Sequence, residues 1–401
     1  MGLFFHFPIA NGRNFVGVKF QIHMKTKNIF QLVLIALLSV AGSSCSSKSS
    51  AAGNAEVKTA EVTNPLPIKF GDPFILHASD GKYYMYGTSL PDGFEAYVSS
   101  DFVNWSPCGQ VYKGGSENQW NVDCFWAPEV YERNGKYYMF YSANSRNNPT
   151  HELESFKIGV AVSLSPAGPF TDLYDHPVFE AEYPVIDANV YFDDDNNRTY
   201  LYFSRCCYKH SVDSELARKM KAEGIYDNIE ESWVYGVEMK PDFSGIIGEP
   251  KLMLQPPTSM SDKQAEWESR SVTAREVNRR WTEGSFLFKH GDTYYMMYSA
   301  NSYQGAYYAV GYATSKNPLG PFVKSDDNPV LQENLSKGGS VVGTGHNMVL
   351  TMPDGTMYCV YHARMVNNSK DRVVMIDKME IDDNGKLKVD GPTTKQQVIR
   401  Y

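Results

Sequence analysis

Five times along the chain a turn residue opens a short run of aromatic and branched residues. The copies are Gly81-Lys-Tyr-Tyr-Met-Tyr86, Gly135-Lys-Tyr-Tyr-Met-Phe-Tyr141, Asn197-Arg-Thr-Tyr-Leu-Tyr-Phe203, Gly291-Asp-Thr-Tyr-Tyr-Met-Met-Tyr298 and Gly355-Thr-Met-Tyr-Cys-Val-Tyr361. Such a pattern predicts a tight hairpin turn entering a buried strand. Two copies continue alike, as Tyr141-Ser-Ala-Asn144 and Tyr298-Ser-Ala-Asn301. A second element follows them, and Gly159 to Phe170 matches Gly311 to Phe322. Ser99 to Trp105 holds the corresponding place in the first copy. The turns fall at residues 81, 135, 197, 291 and 355, so the period is near 60. Several strands per period predict propeller blades, each burying the faces its neighbours cannot bury alone. The expected fold is therefore all-β, a five-bladed β-propeller over residues 65–401. The third unit is about 30 residues too long, between Cys206 and Arg280, and includes a helical stretch from Ser214 to Gly224. That excess is expected as an excursion over one face. A two-sheet sandwich offers no reason for five matching units.

Composition narrows the class. Of 401 residues, 42% are hydrophobic, enough for a large core, which excludes a disordered chain. Lys plus Arg is 38 against 46 Asp plus Glu, a net charge of -8 without a long basic run, so nucleic acid is not an expected partner. An excess of 27 Tyr over 9 His suits strands and sugar-stacking surfaces. Six Cys without zinc-like spacing argue against both a disulfide scaffold and a metal–thiolate site.

The first 64 residues read as an address. Ile29 to Gly42 is an apolar run of signal-peptide length behind Lys25 and Lys27. Small residues then lead to Cys45, an arrangement that resembles a bacterial lipoprotein signal in which Cys45 is lipidated. Gly42-Ser-Ser44 departs from the commonest form, which has Leu three before the Cys; an ordinary signal peptide is the alternative. Residues 24–44 are expected as the signal peptide, 1–23 as an upstream extension before Met24, and 45–64 as a flexible tether. The expectation is an exported protein, periplasmic or at the cell surface, held to a bacterial outer membrane by its lipid alone.

Before each aromatic hairpin a short strand opens on a polar residue. The openings are Gly71-Asp72-Pro73, Trp126-Ala-Pro-Glu129, Ile186-Asp187-Ala-Asn189, Thr282-Glu283-Gly284 and Gly345-His346-Asn347. Inner strands of a propeller run beside its axis, so equivalent residues converge on one mouth. Four carboxylates and an imidazole there cost free energy unless they perform a task or hold a cation. Local alternatives exist. Glu283 could pair with Arg279 or Arg280, Glu129 could be structural, and the acidic run Asp193 to Asn197 reads as turn chemistry.

Taken in order, one per blade, these openings resemble glycoside hydrolase family 43, over about residues 65–390. The resemblance implies inverting hydrolysis of arabinose-, xylose- or galactose-containing glycans, with a plant cell-wall glycan or oligosaccharide as the partner. It implies Asp72 as general base, Glu283 as general acid, and Asp187 as the residue that orients the acid and tunes its pKa. Trp126, Arg364, Glu129 and Phe74 are the expected substrate-binding residues; the alternative for Arg364 is a salt bridge between blades. Chemistry of this kind needs no cofactor, while a structural calcium or a water cluster is expected on the axis near His346. Departures are Glu129, where Asp is commoner, and Ala188-Asn189 after Asp187. An exo-α-L-arabinofuranosidase is favoured, because the long third unit can wall a cleft into a pocket. An endo-arabinanase, a β-xylosidase, a β-galactofuranosidase and a noncatalytic glycan-binding lipoprotein are the alternatives.

Overall fold

The computed structural model describes residues 57–148, 154–223, 228–270 and 278–401. The expected signal peptide and Cys45 lie outside the described residues. Among those described, no helix is long and apolar enough to cross a membrane.

Five four-stranded antiparallel sheets follow one another along the chain. Their inner strands are Gly71–His77, Trp126–Arg133, Val185–Asp193, Thr282–His290 and Val341–Thr351, and each packs against the inner strands of the two neighbouring blades. The last of them meets the first, so the ring is closed and the architecture is a five-bladed β-propeller. The five aromatic runs are the second strands, Tyr83–Thr88, Lys136–Asn144, Arg198–Arg205, Thr293–Ala300 and Met357–Met365.

Their aromatic side chains build the blade interiors. Tyr141, Tyr298 and Tyr361 occupy the same register position on three blades and are fully buried. A buried phenol needs an acceptor, and each finds a carboxylate: Asp172 at 2.6 Å, Glu268 at 2.7 Å and Asp377 at 2.6 Å. This pairing explains why so many tyrosines sit inside without unsatisfied hydroxyls.

The chain ends close the ring. Thr59–Thr63 pairs antiparallel with Gln396–Arg400, so this part of the stretch expected as tether belongs to the propeller domain. Asn64 then bridges to the third strand of blade five. Its Nδ2 donates to Ile376 O at 2.9 Å and its Oδ1 accepts from Ile376 N at 3.0 Å.

The excess of the third unit splits into two excursions, 206–232 within the blade and 255–281 after it. The helix runs from Glu215 to Ala222, and Ser214 Oγ caps it by accepting from Ala217 N at 3.1 Å. The excursions are stitched together by a short parallel pairing of Glu230–Glu231 with Arg279–Arg280. Charge reinforces it. Arg279 meets Glu230 at 2.8 Å and Arg280 meets Glu231 at 2.6 Å, the second pair essentially without solvent. Neither arginine pairs with Glu283. The Asp193 to Asn197 run is the hairpin turn of blade three, where Asp193 accepts from Asn196 and Asp194 pairs with Arg133.

Candidate active site

Every inner strand carries a bulge at its opening, and the bulge sets the site. The ladder registers jump between Gly71 and Phe74, Trp126 and Glu129, Ile186 and Asn189, Glu283 and Phe286, and Gly345 and Met348. The residue after the first of each pair is left-handed: Asp72 at φ 52°, Ala127 at 47°, Asp187 at 60°, Gly284 at 55° and His346 at 49°. Non-glycine residues adopt this region at a cost of about 1–3 kcal/mol each, and such strain gathers at functional sites. Bulges next to active sites re-aim side chains, and these turn Asp72, Asp187 and His346 toward one mouth.

Equivalence by register differs from equivalence by sequence. Glu283 stands one residue before the left-handed position of its blade, which is Gly284. A side chain at 284 would press on His346, with a Cβ only 3.0 Å from Nδ1. Glu129 stands two residues beyond the left-handed position, at the place of Phe74 and Asn189. There it accepts from Tyr131 Oη and from Asn189 Nδ2 at 3.0 Å, while Asn189 Oδ1 accepts from Leu287 N at 2.9 Å. Glu129 thus bolts blades two, three and four, and burial pushes its pKa up to about 8. Phe74 packs edge-on to Tyr131 at 5.3 Å. Neither of these expected substrate contacts lines the cavity at the mouth.

That cavity, about 280 Å³, brings Asp72, Asp187 and Glu283 together with His346 and Trp126. Sequence reasoning missed most of its walls. Tyr208 and Trp281 come from the two excursions, Ser302 to Gln304 and Tyr308 from blade four, and Arg372 from the third strand of blade five. Arg364, expected at the substrate, is not in the lining. It is buried, and its guanidinium donates to the carbonyls of Tyr303, Ser369 and Lys370. Arg372 instead reaches Asp72, with Nη1 at 2.9 and 3.1 Å from the two carboxylate oxygens. It passes over Gly71, where a Cβ would lie 1.8 Å from its Cζ; no larger residue fits. No sequence signal marks Arg372, since a charged residue on a third strand reads as surface.

The electrostatics separate the acids. Burial raises Asp72, but the charges of Arg372 and His346 outweigh it, and the carboxyl is held well below its ordinary value. Thr88 Oγ1 also donates to it at 2.6 Å. Glu283 goes the other way. Burial first, and the Asp187 charge second, push it well above the ordinary carboxyl range. Tyr308 Oη donates to its Oε1 at 3.0 Å. Asp187 is raised by burial against the pull of His346 and accepts the N–H of Gly284 at 3.1 Å, next in chain to Glu283. One cavity therefore presents an ionised carboxylate and a protonated carboxylic acid at the same pH.

His346 Nδ1 lies 3.3 Å from Asp72 Oδ1. Among the described residues no group of three His, Cys, Asp or Glu side chains is arranged to hold a metal. The donor set at His346 does not by itself form a calcium shell, which takes six to eight oxygens. No catalytic step is drawn through a cation.

Comparison with known proteins accords with the geometry. A family model, glycosyl hydrolases family 43, matches residues 62–387. The chain is a family 43 glycosyl hydrolase. A solved thermostable family-43 glycoside hydrolase is 36% identical, with a TM-score of 0.68, covering 84% of this chain and 97% of that one. A second, the endo-1,4-beta-xylanase from Bacteroides thetaiotaomicron, is 30% identical with a TM-score of 0.62, covering 84% and 98%. The beta-D-galactofuranosidase xynD of Aspergillus niger is 29% identical over 329 residues, 77% of this chain and 78% of the relative. The propeller of this family 43 enzyme is thus built for glycosidase chemistry.

Proposed function

We propose that this enzyme is an inverting exo-α-L-arabinofuranosidase acting on arabinose-bearing plant glycans or oligosaccharides. The observation that carries the reading is one small cavity that holds Asp72 against the Arg372 guanidinium and Glu283 buried near Asp187. Asp72, ionised, takes a proton from water as the water oxygen bonds to the anomeric carbon. Glu283, protonated, gives its proton to the departing glycosidic oxygen as that bond breaks. Asp187 keeps Glu283 protonated by its charge and places it through the Gly284 N–H. Turnover leaves Asp72 protonated and Glu283 ionised, and exchange with solvent restores both.

The walls support exo action. Trp126 from blade two, Tyr208 and Trp281 from the excursions, Tyr303 from blade four and Arg372 from blade five enclose the mouth. A volume of about 280 Å³ is at the small end for ligand sites and suits a terminal sugar better than a stretch of polymer. The names of two relatives, an endo-xylanase and a galactofuranosidase, set the competing substrates. The test is a panel of nitrophenyl α-L-arabinofuranoside, β-D-xyloside and β-D-galactofuranoside with linear arabinan, and NMR of the first-formed anomer. Preference for the arabinofuranoside with inverted product is expected. Retention of configuration rejects the mechanism, and internal cleavage of arabinan rejects the exo assignment.

The role of Asp187 has its own signature. An anion beside Glu283 raises the acid's pKa, so Asp187→Asn lowers it. The alkaline limb of kcat/KM is then expected at lower pH than in the unmodified enzyme. It does not fall to the range of a free carboxyl, because burial is the larger cause of the shift. An unmoved alkaline limb removes Asp187 from this role.

A further inference from the structure

Around the axis, four blades grip the next directly through one residue of the second strand, and blade three does so through Asp187 with that residue behind it. The gripping residue pairs in the ladder with the residue just before the left-handed one: Thr88, Ser142, Ser204, Ser299 and His362. Thr88 Oγ1 accepts the N–H of Ala127 at 2.9 Å, Ser142 Oγ that of Asp187 at 3.0 Å, and Ser299 Oγ that of His346 at 2.8 Å. Between blades three and four the N–H of Gly284 goes to Asp187 Oδ2, behind which Ser204 Oγ donates at 3.2 Å. Four blades place a hydroxyl here. The fifth, where the ring closes on Asp72, places an imidazole, and Asp72 N donates to His362 Nδ1 at 3.1 Å.

We propose that His362 is a positioning residue for the general base, its Nδ1 accepting the Asp72 N–H and so fixing the left-handed backbone that aims the carboxylate into the cavity. The inference rests on Asp72 being that base.

Three observations support it. His362 is fully buried and outside the cavity lining, so substrate does not touch it. Its ring stacks on Tyr308 at 5.6 Å, the residue that donates to Glu283. The holders of the base and of the acid are thus in contact, and the two catalytic groups share one rigid support. The Asp72 N–H points at Nδ1 and makes it the acceptor, and burial, which drives the imidazole pKa down to about 4, keeps the ring neutral. Nδ1 also lies 3.3 Å from Asp72 Oδ1, a lone-pair-to-anion approach made tolerable by Arg372 on the same carboxylate. A left-handed Asp is strained, and without its acceptor the residue relaxes toward ordinary backbone and carries the carboxylate away. Displacement on the order of 1 Å at a reacting group costs about 10²-fold in rate.

The experiment compares His362→Leu, which removes the acceptor, with His362→Asn, whose Oδ1 stands near the place of Nδ1. His362→Leu is expected to lose about 10²-fold in kcat with KM within about threefold, while His362→Asn keeps kcat within about tenfold of the unmodified enzyme. Wild-type kcat in His362→Leu overturns the inference. So does a loss in His362→Asn as deep as in His362→Leu, or a defect confined to KM. Should His362→Leu fail to fold, His362→Gln replaces it; its amide lies one methylene further out, and kcat equal to that of His362→Asn overturns the proposal. Asp72→Asn separates the two layers: full activity there removes the base itself, whatever the His362 variants do.

Discussion

Glu283→Gln is expected to cut turnover of an arabino-oligosaccharide by about 10²–10⁴-fold while sparing an aryl arabinofuranoside. The difference lies in the leaving oxygen. A sugar alkoxide departs only if protonated, whereas a nitrophenolate departs unaided, so loss of the acid matters for the first alone. Glutamine keeps the volume of Glu283 and still accepts from Tyr308, so the cavity is preserved. The alkaline limb of the pH profile should vanish with the acid. Asp72→Asn is expected to lose a similar factor on both substrates, because activation of the water does not depend on the leaving group, and in it the acidic limb should vanish. Equal losses on both substrates in Glu283→Gln would take the acid role from this residue. Full activity in Asp72→Asn would leave the Arg372-held carboxylate without a task.

Much of this was legible from side-chain pattern. The five hairpins showed as aromatic runs behind turn residues because second strands are buried on both faces. The openings showed as polar residues where a buried strand should be apolar. What pattern alone could not give was register. A bulge inserts one residue, and nothing in the letters says which side of it the acid occupies. Reading the openings as equivalent grouped Glu129 and Glu283 with Asp72, whereas the structure groups Asp72, Ala127, Asp187, Gly284 and His346. The glycine after Glu283 and the proline after Asp72 were the usable signals, since glycine takes a positive φ freely and proline restricts the residue before it. Glu129 consequently became a bolt between blades rather than a contact at the mouth. Arg364 and Arg372 were exchanged for a different reason. Both lie in blade five, eight positions apart, and only the fold decides which guanidinium is consumed by carbonyls and which faces a carboxylate. The gripping residues were visible as a hydroxyl after an aromatic, in Tyr141-Ser142 and Tyr298-Ser299. Their role across blades was not, because it is a property of neighbours 39 or more residues away in the chain.

The largest stability effect is expected where the excursions are stitched together. Arg280 and Glu231 form an ion pair with side-chain exposures of 0% and 1%. Arg280 Nη2 also donates to Pro257 O at 3.0 Å, and Glu231 Oε2 accepts from Trp233 Nε1 at 2.9 Å. Burial pushes Glu231 up and Arg280 down, each toward its neutral form, so attraction does not fully offset desolvation. Removing one partner leaves the other charge stranded. Arg280→Met is therefore expected to cost about 3–5 kcal/mol, a fall in Tm of about 5–10 °C. The double variant Arg280→Met with Glu231→Leu should recover much of that loss, because an apolar pair of similar volume carries no stranded charge. Recovery stays incomplete, since Pro257 O loses its donor. The same pair bears on activity. Trp281 follows Arg280 in the chain and walls the cavity, with Glu283 two residues beyond. The single variant is thus expected to raise KM at temperatures well below its Tm, and thermal melts read beside kinetics at 25 °C check both effects. A Tm within about 2 °C of the unmodified enzyme would show that the Arg280–Glu231 pair is not what holds the excursions.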